Sequence, residues 1–217
     1  MNTLTTTPLA SLLDRLFAES EAATSPALEG MTWEDRERLM RSKTEYIDLY
    51  SNLKDLWLPV SREAGRLLYM LARSTNATSI VEFGTSFGIS TLHLAAAVRD
   101  NGGGRVISSE FEPSKVRRAR EHITEGGLID LVEIREGDAL ETLSRDLPDR
   151  IDLVLLDGAK SLYADVLDLL ESRLRPGALV VADNTDYCLD YVERVRSTGA
   201  YLSVPFAEDI ELSMRLA

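Results

Sequence analysis

Acidic side chains recur in this chain at one kind of position, the residue that ends or follows a short apolar run. Glu82 follows Ser79-Ile80-Val81, Glu110 follows the run 105–109, and Asp138 stands between Gly137 and Ala139. Asp157 follows Leu153-Val154-Leu155-Leu156, and Asp183-Asn184 follows Leu179-Val180-Val181-Ala182. One acid after a strand is commonly just a helix cap. Five in order along the chain would put carboxylates on one rim of a parallel sheet, where ligands of such sheets bind. The spacing gives one of them a specific task. Glu110 comes 28 residues after Glu82, near where a carboxylate that accepts from both ribose hydroxyls is expected.

The run Ser79-Ile-Val-Glu-Phe-Gly-Thr-Ser-Phe-Gly-Ile-Ser-Thr91 supplies the other half of a nucleotide site. A β-branched strand leads to a turn punctuated by Gly84 and Gly88, and a helix opens at Ser90, an arrangement that presents backbone amides to a ligand. The third glycine of the dinucleotide fingerprint is missing, and no Gly-Lys-Ser/Thr follows, so neither a standard NAD site nor a P-loop fits. An acid at the strand end repels a pyrophosphate but suits a cofactor with an amino group. The expected cofactor is S-adenosylmethionine (SAM). Glu82 and the Gly84–Ser86 backbone would face its methionine part, Glu110 its ribose, and Asp138 with the Ala139 amide its adenine.

These groups need a scaffold, and the hydrophobic pattern predicts one. Strands are expected at 79–83, 105–109, 131–135, 152–156, 178–182, 201–206 and 210–216. Helices at 89–99, 113–125, 138–145, 161–172 and 187–196 separate them. The central runs are apolar without alternation, as in strands covered on both faces. The fold class is therefore α/β, a Rossmann-like doubly wound sheet, mostly parallel. Its last two strands, joined at 207–209, form an antiparallel edge hairpin. Upstream, helices are expected at 9–20, 32–53 (capped by Thr32) and 61–74, with a break around Pro26 and Gly30. The division is an N-terminal helical segment, 1–58, serving as lid or dimer surface, and a domain over 59–217.

The composition narrows the function classes. With 36 acids against 24 bases, the net charge of −12 argues against nucleic-acid or anionic-membrane partners. The basic cluster Lys115, Arg117, Arg118 and Arg120 reads as a solvated helix face. A lone cysteine, Cys188, permits no internal disulfide and fits a cytoplasmic location. No signal peptide or membrane-spanning run is expected. His93 and His122 read as structural.

Together, Glu82-Phe-Gly-Thr-Ser-Phe-Gly-Ile-Ser90, Glu110, Gly137-Asp-Ala139, Asp157-Gly-Ala-Lys160-Ser-Leu-Tyr163 and Asp183-Asn184 carry a resemblance. From about residue 60 onward the chain resembles class I SAM-dependent methyltransferases, and among them the metal-dependent catechol and caffeoyl-CoA O-methyltransferases. The resemblance implies transfer of a methyl group to a hydroxyl of a small catechol-like or vicinal-diol acceptor. It implies Glu82, Gly84, Ser86, Ser90, Glu110, Asp138, Ala139 and Asp157 around SAM, and Asp157, Asp183 and Asn184 around a divalent cation. Oxygen ligands favour Mg²⁺, with Mn²⁺ or Ca²⁺ also suited. It implies Lys160 as general base, its pKa lowered by burial and the cation, and a second copy of the chain as partner.

The chain departs from the family in one place. Only about five residues separate Asn184 from the next helix, where relatives carry a longer cover for the acceptor. The N-terminal helices or a partner subunit are expected to close that side. Asp186, Tyr187, Glu208 and Asp209 are candidates to line it, and Trp33 and Trp57 to wall it. Three alternatives stay open: a metal-independent SAM methyltransferase, a non-catalytic SAM-binding protein and a nicotinamide-dependent oxidoreductase, the last opposed by Glu82 and the missing glycine.

Overall fold

The computed structural model describes residues 2–24, 31–206 and 209–217. The expected break at Pro26 and Gly30 lies outside the described residues. Among the described residues four α-helices precede the sheet: α1 (Leu9–Ala22), α2 (Trp33–Arg41), α3 (Tyr46–Asn52) and α4 (Arg62–Ser74). The single helix expected over 32–53 is two. Thr32 caps α2 as expected, accepting the Asp35 amide at 3.1 Å. Ser42 then ends it in extended geometry, and its hydroxyl accepts the Glu45 amide at 3.1 Å. A serine that bonds its own backbone breaks a helix without any glycine or proline to announce it.

From Ser79 the chain alternates: β1 (Ser79–Phe83), α5 (Ile89–Asp100), β2 (Arg105–Glu110), α6 (Pro113–Glu125), β3 (Val132–Glu136), α7 (Ala139–Thr142). There follow β4 (Ile151–Leu156), α8 (Tyr163–Leu170), β5 (Leu174–Ala182), α9 (Leu189–Ser197), β6 (Tyr201–Phe206) and β7 (Ile210–Arg215). The sheet order is β3-β2-β1-β4-β5-β7-β6. The antiparallel strand of the hairpin is β7, inserted between β5 and β6, so β6 forms the edge. Pro205 sits in this edge strand, where a missing N–H breaks no central ladder.

Period-two alternation divides the core. Ile80, Leu153 and Leu155 point to one face, under α4, α5 and α6; Val81, Val154 and Leu156 point to the other, under α8 and α9. Leu9, Leu12 and Leu16 of α1 are part of the first layer, each at most 2% exposed. Among the described residues of the segment 1–58, therefore, α1 is core, while α2, α3 and the stretch 53–58 are placed to cover a site.

Register explains how the acids meet. Phe83 pairs with Leu156, and Leu156 with Ala182, so these strands stop level and Gly84, Asp157 and Asp183 begin their loops side by side. The chain turns one way from β1 to β2 and β3 and the other way from β4 to β5, which opens a crevice at the carboxyl ends of β1 and β4.

Candidate active site

Strand order sets the order of groups along the rim: Asp138 after β3, Glu110 ending β2, the glycine loop after β1, Asp157 after β4 and Asp183 after β5. Neighbouring strands lie roughly 5 Å apart, so the row is long enough for an extended cofactor with an acceptor at one end.

The loop after β1 is held by close backbone packing. Gly84 has φ +104°, and a Cβ there would lie 2.5 Å from the Asp157 carbonyl oxygen. Its glycine is thus required by the approach of β4 as much as by any ligand. Ser86, in the left-handed region at φ 47°, sends its amide to Glu110 Oε2 at 2.8 Å, while Oε1 accepts the Glu112 amide at 3.0 Å. A carboxylate has about four lone-pair sites, so Glu110 keeps capacity for hydroxyl donors. Asp138 caps α7 by accepting the Leu140 amide at 2.8 Å, and its other oxygen accepts from the Tyr46 hydroxyl at 3.3 Å.

A cavity of about 280 Å³ runs along this row. Of the sequence-predicted cofactor residues, Gly84, Ser86, Glu110, Asp138, Ala139 and Asp157 line it. Glu82 does not line it. It is 0% exposed, and its oxygens take the hydroxyls of Ser90, Thr91 and Ser108, each at 2.5 Å. Burial pushes its carboxyl up to about 7 against those three hydrogen bonds, which pull it down. The structure thus makes Glu82 a clamp joining β1, β2 and α5 beneath the loop, and Ser90 turns toward it.

A second cavity, about 270 Å³, lies on the β4–β5 side, under Met40 of α2 and Leu49 of α3, with Asp157, Lys160, Asp183 and Asn184 on its floor. The two cavities share Tyr50, Leu58, Asp157 and Gly158. The β4–β5 side of the rim is therefore covered by residues of α2 and α3. The candidates proposed from the loop are elsewhere. Asp186 and Tyr187 face Arg41, through the Asp186 carbonyl (2.9 Å) and the Tyr187 ring (5.6 Å). Trp57 stacks on Phe87 at 4.3 Å, and Trp33 is 67% exposed. Glu208 lies outside the described residues.

The floor is a compact polar network. Lys160 Nζ donates to Asp157 Oδ1 and to the Tyr163 hydroxyl, both at 2.9 Å, and Tyr163 donates to the Asp183 carbonyl at 2.9 Å. Burial alone does not give Lys160 the expected downward shift. Burial does press it down, but Asp157, followed by Tyr163, Tyr50 and Asp183, holds its proton well above the ordinary lysine range. Burial and the neighbouring Asp157 push Asp183 up to about 7. Asn184 donates its side-chain amide to Asp209 Oδ2 at 2.8 Å, which leaves its carbonyl oxygen free as an acceptor. Among the described residues no three His, Cys, Asp or Glu side chains gather as a metal-binding group; the set is two carboxylates and an amide oxygen.

Several residues here were not found from the sequence. Lys115, expected on a solvated face, is 4% exposed and lines the first cavity; burial lowers its pKa against the raising influence of Glu110 and Glu112. Tyr46 and Tyr50, one helical turn apart, were signalled only by their spacing. His93 and His122 are buried, each with Nδ1 2.8 Å from a backbone carbonyl oxygen. Cys188 is buried, and chiefly that burial pushes its thiol up to about 12, which disfavours a thiolate. No described helix is long and apolar enough to cross a membrane.

Comparison with known proteins bears on this geometry. Residues 81–185 match a family described as "Methyltransferase domain". The match covers just under half of the chain. The chain is similar to the catechol O-methyltransferase of Niastella koreensis, 34% identical over 130 residues, which are 58% of this chain and 58% of the relative. It is also similar to catechol O-methyltransferase B of Danio rerio, 31% identical over 174 residues, 76% of this chain and 65% of that protein. The chain thus spans less than two thirds of the length of these curated relatives. Its fold matches the crystal structure of an O-methyltransferase from Bacillus cereus in complex with SAH, with TM-score 0.67, 21% identity, and 94% and 97% of the two chains covered.

Proposed function

We propose that this protein moves the methyl group of SAM to a hydroxyl of a small catechol-like or vicinal-diol acceptor, assisted by a divalent cation. The observation that carries the reading is the meeting of two cavities across Asp157, Gly158, Tyr50 and Leu58. One has the carboxylates suited to ribose and adenine, Glu110 and Asp138; the other has a carboxylate pair and a lysine. Methyl transfer needs oxygen, methyl carbon and sulfur held in line, and two pockets abutting at one point supply that orientation.

The residues present fit a hard cation. Burial first, and then the neighbouring Asp157, drive Asp183 toward protonation, and a cation would offset both as a proton does. Asp157, Asp183 and the Asn184 carbonyl would hold it, with Mg²⁺ favoured and Mn²⁺ or Ca²⁺ also suited. The chemistry it supplies is a lower cost of removing the acceptor proton, since a phenol with pKa of about 10 needs roughly 4 kcal/mol to ionise at pH 7. Lys160 is the proposed proton acceptor. It can act only as the neutral amine, and Asp157 controls that state, because while Asp157 holds the proton on Nζ the ammonium has no lone pair to accept another.

Calorimetric titration of SAH, with and without Mg²⁺ and catechol, tests the reading. SAH binding together with Mg²⁺-dependent catechol binding is the expected result; absence of SAH binding overturns it. A second reading, metal-free methyl transfer, is favoured by one observation: the Lys160–Asp157 ion pair is complete without a cation. Turnover undiminished by EDTA decides for it.

A further inference from the structure

The wall shared by the two cavities includes a side chain that belongs neither to the glycine loop nor to the carboxylate set. Tyr50 of α3 lines both. Its helical neighbours divide: Tyr46 and Ile47 line the first cavity, Leu49 and Leu53 the second. Helix geometry accounts for this, since residues four apart stack on one stripe and the next stripe begins one residue away.

The segment carrying Tyr50 is fastened on both sides. Tyr46 bonds Asp138 at 3.3 Å at the β3 end of the rim. Just before α3, the Ser42 carbonyl accepts from the Ser161 hydroxyl at 2.9 Å, and Lys43 pairs with Asp165 at 2.5 Å. A ring so placed stands where a methyl group must pass from one cavity to the other. Apart from Arg36, the α2–α3 cover of the second cavity is otherwise aliphatic (Met40, Leu49, Leu53), and aliphatic walls give a flat acceptor no preferred orientation about its own plane. An aromatic face does, through offset or edge-on packing.

We infer that Tyr50 is a positioning residue for both substrates. Its ring closes the cofactor cavity at the reacting end, and it sets which of two adjacent acceptor hydroxyls faces the methyl donor. The inference rests on the O-methyltransferase reading and adds a specificity-determining residue to it.

The test compares wild type with Tyr50→Phe and Tyr50→Leu by SAH calorimetry and by the ratio of the two monomethyl products from 3,4-dihydroxybenzoate with SAM and Mg²⁺. Tyr50→Leu is expected to raise the SAH Kd about tenfold and to move the product ratio by about threefold or more. Tyr50→Phe, which keeps the ring, is expected to stay within about twofold of wild type in both. Tyr50→Leu with unchanged SAH affinity, or with an unchanged product ratio, overturns the inference. If Tyr50→Leu does not fold, Tyr50→Met, which also lacks a ring, takes its place and the same two null results overturn it. A wild-type protein that binds SAH but methylates no catechol defeats the reading of function instead, and the SAH comparison then still decides whether Tyr50 serves the cofactor.

Discussion

Asn184 and Asp209 face each other across the loop ends of β5 and β7, the amide nitrogen of one 2.8 Å from the carboxylate of the other. Asn184 is itself in the left-handed region at φ 52°, which asparagine tolerates better than most residues. The contact therefore fixes a strained residue with its carbonyl oxygen available to a cation. Groups that orient a ligand of a metal typically contribute ten- to a hundredfold in affinity. Asp209→Ala is expected to raise the Mg²⁺ concentration for half-maximal turnover by about tenfold or more while leaving the SAH Kd unchanged, measured by titrating activity and by calorimetry.

Tyr163 joins the lysine to the backbone of the next strand, accepting from Lys160 and donating to the Asp183 carbonyl. Tyr163→Phe removes both bonds and keeps the packing. A buried ammonium that loses one of two partners is less well placed, and a lost hydrogen bond to a charged group costs about 1.5–3 kcal/mol. Turnover is expected to fall by about tenfold or more, with SAH affinity intact and the pH–rate profile displaced, because Lys160 loses an acceptor that favours its charged form. An unchanged profile would place Tyr163 outside the proton path.

The rim was legible because each of its acids follows an apolar strand, and level strand ends turn that local pattern into a row. What lies across the row was not legible. Tyr46, Tyr50 and Met40 reach the cavities through a bend at Ser42 that no glycine or proline marks. Lys115 is buried because α6 packs its first turn against the loop after β1, with Phe87 5.5 Å away, a tertiary contact invisible in a run of basic residues. Glu82 was placed correctly at its strand end but assigned outward. Its inward turn depends on Ser108, 26 positions away, whose pairing with it across the β1–β2 ladder only the register reveals.

Glu82 gives the fold a pH dependence. Its carboxyl titrates near 7 in the folded chain, against 4.5 ordinarily, because burial outweighs its three hydroxyl donors. The folded state therefore holds this proton more tightly than the unfolded state. The resulting stability is fully present below about pH 4.5 and is lost as pH rises through about 7, amounting to about 3 kcal/mol over that window. Urea unfolding of wild type and Glu82→Gln at pH 5.5 and pH 8 isolates it: wild type is expected to lose more stability than Glu82→Gln on going to pH 8. Equal losses in the two proteins would mean that Glu82 does not titrate there.

His93 acts in the opposite direction, and its neighbour Gly65 shows why its site is so confined. Burial lowers the imidazole to about 4 from 6.5, so the folded state holds it neutral, and the stability it contributes above pH 6.5 is lost as pH falls through about 4. The ring is pressed against α4 at Gly65, where an added Cβ would stand 2.7 Å from it. Gly65→Ala gains helix propensity, about 1 kcal/mol, but forces apart a contact that both helices bury. Overpacking in a closed core costs about 1–3 kcal/mol, and His93, bonded to the Ile89 carbonyl at 2.8 Å, has little room to yield. Gly65→Ala is thus expected to lower the thermal midpoint, and adding His93→Ala to it should recover part of the loss beyond simple additivity. A double-mutant cycle with no coupling would mean that α4 and α5 relax around the new methyl group independently of the histidine.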